Sequence, residues 1–189
     1  DNMPKYHGRK AVKGIIAKVM QKLDYNRRFL PSSPYGGIPY GSVTYGTAHN
    51  TQFLSSMFKY ISTSDMKDYL AKFDSYLSRF VAEAPTFGAC SPEMMKRFMS
   101  EEDIYGENTD IERCHTRNNP HLRPMGLYDY MTEFAKKVIG EFKDADDKLR
   151  KLQYAQYEWV RISLELYRRN KWFSSGIVFW QLNDCWPSY

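Results

Sequence analysis

Cysteine is scarce in this chain. Cys90, Cys114 and Cys185 are spread over 189 residues, an odd number with no close spacing, which argues against a disulfide framework and for a reducing, cytoplasmic setting. No CxxC or HExxH spacing occurs, so no metal site is expected. Long apolar runs are missing too. No stretch approaches the roughly 20 residues that would span a bilayer, and the opening DNMPKYHGRK lacks the apolar centre of a signal peptide. No glycine-rich phosphate loop follows any strand-like segment, which leaves a nucleotide site unsupported. Internal repeats at a fixed period and low-complexity segments are likewise absent.

What is present suits a single domain with one hydrophobic core. The apolar fraction is 42%, ordinary for a globular protein. The net charge of +5 would allow nucleic-acid binding, but basic and acidic residues are interleaved along helical segments rather than grouped. The densest basic cluster, YRRNK ending at Lys171, falls at a helix end, where cations complement the helix dipole. No nucleic acid and no membrane are therefore expected as partners. Fifteen tyrosines and four tryptophans serve a core or stack on sugars and bases equally well.

Along the chain, Ala11 to Asp24 places Val12, Ile15, Ile16, Val19, Met20 and Leu23 at helical spacing and predicts an amphipathic helix. RRFLPSS and SVTY are strand candidates on either side of a loop rich in glycine and proline. Met57 to Asp74 is weakly helical. SYLSRFVA, Ser75 to Ala82, reads as a buried strand that runs into Glu83, with Pro85 and Gly88 ending any continuation. Ser91 followed by Pro92 predicts the start of a short helix, and Glu101, Glu102 and Asp103 read as a helix or loop cap. GENTDIERCHTRNNPHLRP is a long polar loop. Leu127 to Phe142 and Asp144 to Lys171 are helical, the second with a stripe of Leu149, Leu152, Trp159, Ile162 and Leu166. His49, His115 and His121 read as solvated loop histidines.

The chain closes on GIVFWQLNDCWPSY. Gly176 to Leu182 is short, β-branched and aromatic, with Ile177, Phe179 and Gln181 on one face and Val178, Trp180 and Leu182 on the other. A strand apolar on both faces belongs to a parallel sheet flanked by helices. Strands alternate with helices throughout, which means βα units. About four strands amount to half of a (β/α)8 barrel, which takes about 250 residues when whole. An open doubly wound sheet is the other arrangement. Either way, ligands meet the carboxyl ends of the strands. Glu83 stands at such an end, beside the small Ala82 and Ala84, where a carboxylate can serve as nucleophile, base or cation ligand. A structural salt bridge with Arg79 explains the residue equally well, and Trp180 with Asn183 and Asp184 can be read as core plus turn.

Taken together, FLPSSPYGG, RFVAEAPTFG, FMSEEDIYG and WFSSGIVFWQLNDCWP resemble, in order and spacing, the catalytic barrel of glycoside hydrolase family 2 in its β-mannosidase-like branch. That branch carries patterns close to RFVSEFGFQS, PEDW and GTLYWQLNDCWP. The resemblance runs from about Lys18 onward and implies the C-terminal half of a (β/α)8 TIM barrel, with 1–189 as a single partial domain. It implies a retaining β-glycosidase acting on a terminal β-mannoside or related sugar, with a carbohydrate substrate and no cofactor. Glu83 matches the nucleophile, Trp180 the tryptophan that stacks on the pyranose, and Asn183 and Asp184 the polar residues of the same loop. Tyr45, in GSVTYG, is the counterpart of a tyrosine in the family's GDVHYW that hydrogen-bonds the nucleophile. Ser42, Thr44 and Gly46 replace that pattern's Asp, His and Trp, and APTFG replaces FGFQS after Glu83.

The family's acid/base lies in an Asn-Glu pair. None occurs in this sequence, so that group is expected before Asp1, and this chain alone is expected to be inactive. A half barrel leaves strand edges unpaired, so it is also expected to self-associate. The rival reading is a non-catalytic carbohydrate-binding half-barrel that keeps Trp180 and the loops as a sugar platform.

Overall fold

A computed structural model describes residues 8–36, 45–49, 65, 67–68, 71, 78–85, 88–116, 126–183 and 186–188. The amphipathic stretch near the start is helical as its periodicity predicts. Helix α1 is wound as a π-helix over Lys10–Ile16 and continues as an α-helix over Ala17–Leu23. Its apolar stripe is only partly covered: Ile15, Val19 and Leu23 are exposed, while Val12 and Met20 are half-buried.

Three strands, β1 (Thr47–His49), β2 (Phe80–Pro85) and β3 (Ile177–Trp180), form a parallel sheet in the order β1-β2-β3. The chain is therefore α/β, with three strands among the described residues where the sequence suggests about four. RRFLPSS is not one of them. Its successor Tyr35 instead makes a single antiparallel bridge to Thr47, donating to its carbonyl at 3.3 Å and accepting from its amide at 2.9 Å. In SVTY, residues 42–44 lie outside the described residues, and the strand opens only after Gly46. Gly46 has φ +79°, and a Cβ there would sit 1.9 Å from the Tyr35 carbonyl oxygen, so the bridge and the turn both require glycine. Residues 75–77 and most of 57–74 also fall outside the described set. Strand β2 starts later than predicted and carries Glu83 within it.

One face of the sheet is packed. Val81 and Ala84 of β2 meet Ile177 and Phe179 of β3 and Tyr167. The Tyr167 hydroxyl lies 2.9 Å from that of Ser78, and Ser174 Oγ donates to the Ser78 carbonyl at 2.7 Å. The opposite face is open among the described residues, contrary to a strand covered on both sides. Phe80 and Ala82 line a cavity of about 620 Å³ with Val12, Ile16, Phe29 and Leu30, while Val178 and Trp180 stand half-exposed.

Residues 88–116 and 126–169 build a helical layer. Ser91 caps α2 (Pro92–Met95) and Ser100 caps α3 (Glu101–Tyr105), each hydroxyl accepting a backbone amide of the first turn. Glu101, Glu102 and Asp103 thus form the first turn of a helix, as expected of a cap. The long polar segment is not all loop, because Asp110–His115 forms α4. Helices α5 (Leu127–Ile139) and α6 (Ala145–Arg169) pack against each other across a short connection. Gly140, at φ +110°, ends α5, and Asp144 starts α6 by accepting the Asp147 amide at 2.7 Å. The core joins Met95, Ile104, Phe134, Leu149, Leu152 and Trp159, with the Phe134 and Trp159 rings edge to face at 6.2 Å.

One ionic group lies inside this layer. Glu112 of α4 is 1% exposed and accepts from Tyr128 Oη at 2.5 Å and from Lys148 Nζ at 2.6 Å. A buried carboxylate is tolerated only when paired and hydrogen-bonded, and this pairing joins α4, α5 and α6. Burial, reinforced by the hydrogen bond to Glu112, pushes the Tyr128 phenol well above its ordinary pKa. No disulfide joins Cys90 and Cys114, and Cys185 lies outside the described residues. Among the described residues, no helix is long and apolar enough to cross a membrane.

Candidate active site

A parity slip in β2 brings Glu83 to the open face. Against β3, Val81 pairs with Ile177 and Ala84 with Phe179, so three steps on β2 oppose two on β3. Against β1, Ala48 pairs with Val81 and His49 with Glu83, two steps opposing one. The extra residue is a β-bulge, which lets Val81 and Ala84 face the same cluster although they are three apart. Ala82 and Glu83 are left on the other side, and Glu83 opens at the carboxyl end of the strand, where parallel sheets bind ligands.

The neighbour of Glu83 is a residue that sequence reasoning treated as a solvated loop histidine. His49 sits on β1, with Nδ1 3.7 Å from Glu83 Oε2, and the two side chains are 26% and 27% exposed. Its Nε2 lies 3.0 Å from Ser33 Oγ. The sequence held little to reveal this pairing, because the three residues come from separate segments joined only by the sheet. Arg79, the other partner the sequence offered for Glu83, is engaged elsewhere. Its guanidinium stacks 4.0 Å over the Phe173 ring, and Nη1 donates to the Phe173 carbonyl at 3.3 Å.

Trp180 ends the adjacent strand, paired in register with Pro85. It is 49% exposed, which fits a side chain on the open face better than one in the core. Tyr45 is 66% exposed, its ring against Gly36, and no hydrogen bond joins it to Glu83 among the described residues. Asn183 is exposed just beyond β3, and Asp184 lies outside the described residues. His115 is not a loop residue either: it ends α4, part-exposed, with Nδ1 3.1 Å from the Pro187 carbonyl and its ring 4.9 Å from that of Phe98. It holds the segment after β3 against α4. His121 lies outside the described residues. Among the described residues no three His, Cys, Asp or Glu side chains gather as a metal site.

The apolar cavity is not where the carboxylate is. Thr47, Phe80 and Ser175, at or before the amino ends of the three strands, line it, whereas Glu83, His49 and Trp180 lie toward the carboxyl ends. Ser33 borders both. What the upper group presents is a part-exposed carboxylate with an imidazole at its side and an indole on the next strand. A carboxylate so placed can attack an electrophilic carbon or accept a proton.

A parallel α/β sheet with a carboxylate and an indole at its carboxyl edge fits the glycoside hydrolases, and comparison with known proteins is more specific. No family model matches the chain. An exo-β-D-glucosaminidase from Amycolatopsis orientalis is 31% identical over 103 residues, 51% of this chain and 10% of that protein. A β-D-mannosidase structure from Dictyoglomus thermophilum matches 99% of this chain and 21% of its own, with a TM-score of 0.71 and 25% identity. The resemblance to the β-mannosidase-like branch of glycoside hydrolase family 2 is thus supported by both a sequence relative and a solved structure. The chain spans only about a tenth and a fifth of these two proteins.

Proposed function

We propose that this chain is the C-terminal half of a (β/α)8 barrel in a retaining β-glycosidase that removes a terminal β-mannoside or a related β-linked sugar. The observation that carries this is the bulge that turns Glu83 onto the open sheet face, one strand away from Trp180. Glu83 acts as the nucleophile. Its carboxylate attacks the anomeric carbon to give a glycosyl ester as the bond to the leaving oxygen breaks. A second carboxyl group, about 5 to 5.5 Å away, protonates that oxygen and then activates the water that cleaves the ester. That second group would come from residues outside this sequence. The reaction needs no cofactor. Trp180 offers the floor on which the sugar ring stacks, and Tyr45, Asn183 and Asp184 belong to the surrounding loops.

Glu83→Gln in the full-length protein separates catalysis from binding. The nucleophile reading expects turnover of aryl β-glycosides to fall on the order of 10⁴-fold, with sugar affinity largely kept. A variant that loses only affinity would show that the open face binds carbohydrate without attacking it.

A further inference from the structure

We propose that Ser33 and His49 are a positioning pair for Glu83, fixing its carboxylate for attack; this rests on the nucleophile reading above. A neutral imidazole carries one N–H. If Nε2 carried it, Ser33 would accept, and the bare Nδ1 lone pair would face a carboxylate oxygen at 3.7 Å. If Nδ1 carries it, Ser33 Oγ donates to Nε2, and an N–H points at Glu83. The carboxylate thus favours the Nδ1–H tautomer, and the Ser33 hydroxyl, able to donate to Nε2, completes it as an outer partner does when it orients a catalytic or ligating histidine. A protonated ring would present an N–H to Glu83 as well. At 3.7 Å the contact is longer than a hydrogen bond, so it acts through the dipole or charge beside the carboxylate.

The surroundings leave this task to His49 among the described residues. Arg79 is held by Phe173, and Tyr45 is turned out toward Gly36. The strand register fixes the imidazole, because His49 and Glu83 are paired across β1 and β2. Ser33 reaches the ring from the loop that bridges through Tyr35 to Thr47, two residues before His49.

The test compares two amides. Asparagine at 49 places its NH₂ where Nδ1 stands, and glutamine reaches toward Nε2. In the full-length protein, the rate at which a 2-fluoro glycoside inactivates the enzyme reports nucleophilic attack. His49→Ala should slow it up to roughly tenfold with KM little changed, less than the loss of a hydrogen bond to a charged group would give. His49→Asn should restore most of the rate, and His49→Gln should not. Ser33→Ala should slow inactivation less, and ¹⁵N NMR of labelled histidine should show the Nδ1–H tautomer of His49 in the parent and a smaller share of it in that variant. A His49→Ala rate equal to the parent's, rescue by Gln as good as by Asn, or a loss confined to KM would overturn the proposal. If the parent labels on Glu83 while His49 is indifferent, this inference alone fails. If the parent does not label on Glu83, the nucleophile reading fails and takes the positioning role with it.

Discussion

The helical layer over residues 88–116 and 126–169 and the three-stranded sheet are built to different standards of completion. In the layer, three helix starts and the buried ion pair are met from within: Ser91, Ser100 and Asp144 cap helices, and Glu112 has both Tyr128 and Lys148. In the sheet, one face is packed against Tyr167 and the other holds Glu83, His49 and Trp180 part-exposed above an apolar cavity. On the proposed function, chemistry falls where packing is left open. Side chains that must meet a ligand cannot also be consumed by a core, and a bulge is a local way to move one of them out of it.

That contrast can be broken first in the layer. Glu112→Ala should cost about 3–5 kcal/mol, because it strands Lys148 and Tyr128 without their buried partner. Hydrogen exchange of the α4, α5 and α6 amides should lose protection by that amount in the full-length protein. If protection hardly changes, the ionic group is not what ties the helices together.

On the sheet the same scale of truncation should be felt in kinetics rather than stability. Trp180→Ala removes an aromatic surface worth about 0.5–1.5 kcal/mol in stacking, so kcat/KM should fall up to roughly tenfold while thermal stability hardly moves. A collapse of stability with normal kinetics in the surviving fraction would return Trp180 to the core.

The smallest effect is one of pH. The Tyr128 phenol is held above its ordinary pKa by burial and by Glu112, so its neutral form is favoured in the fold. That contribution is complete below about pH 10 and is lost as pH rises from there toward the folded value. Amide protection in α5 should decline above about pH 10, and Tyr128→Phe should flatten the decline. Tyr167, also raised by burial, would leave a residual slope. An unchanged slope in the variant would remove Tyr128 as its source.

Long periodic elements were legible in the sequence. Helices α5 and α6 lie within a few residues of their predicted bounds, since the stripe through Leu149, Leu152 and Trp159 is sustained and Asp144 marks a start, while Gly140, inside the predicted span, ends α5 early. Strand β3 was legible from its apolar run. Strand β1 was not, because Thr47-Ala48-His49 is too short and too polar to show a period, and its pairing depends on residues far along the chain. The bulge was also invisible: alternation would send Val81 and Ala84 to opposite faces, and only the neighbouring strands reveal the slip. His49 was missed for the same reason. Helix α1 was read correctly as a helix, but its apolar stripe is only partly covered.

The most direct measurement traps the covalent intermediate. The full-length protein is treated with a 2-fluoro β-mannoside bearing a good leaving group, digested, and the labelled peptide sequenced by mass spectrometry. The label should sit on Glu83, in the peptide containing FVAEAP. A label on Glu101 or Glu102, or none on this chain while the enzyme turns over, would contradict the assignment of the open sheet face as the catalytic one.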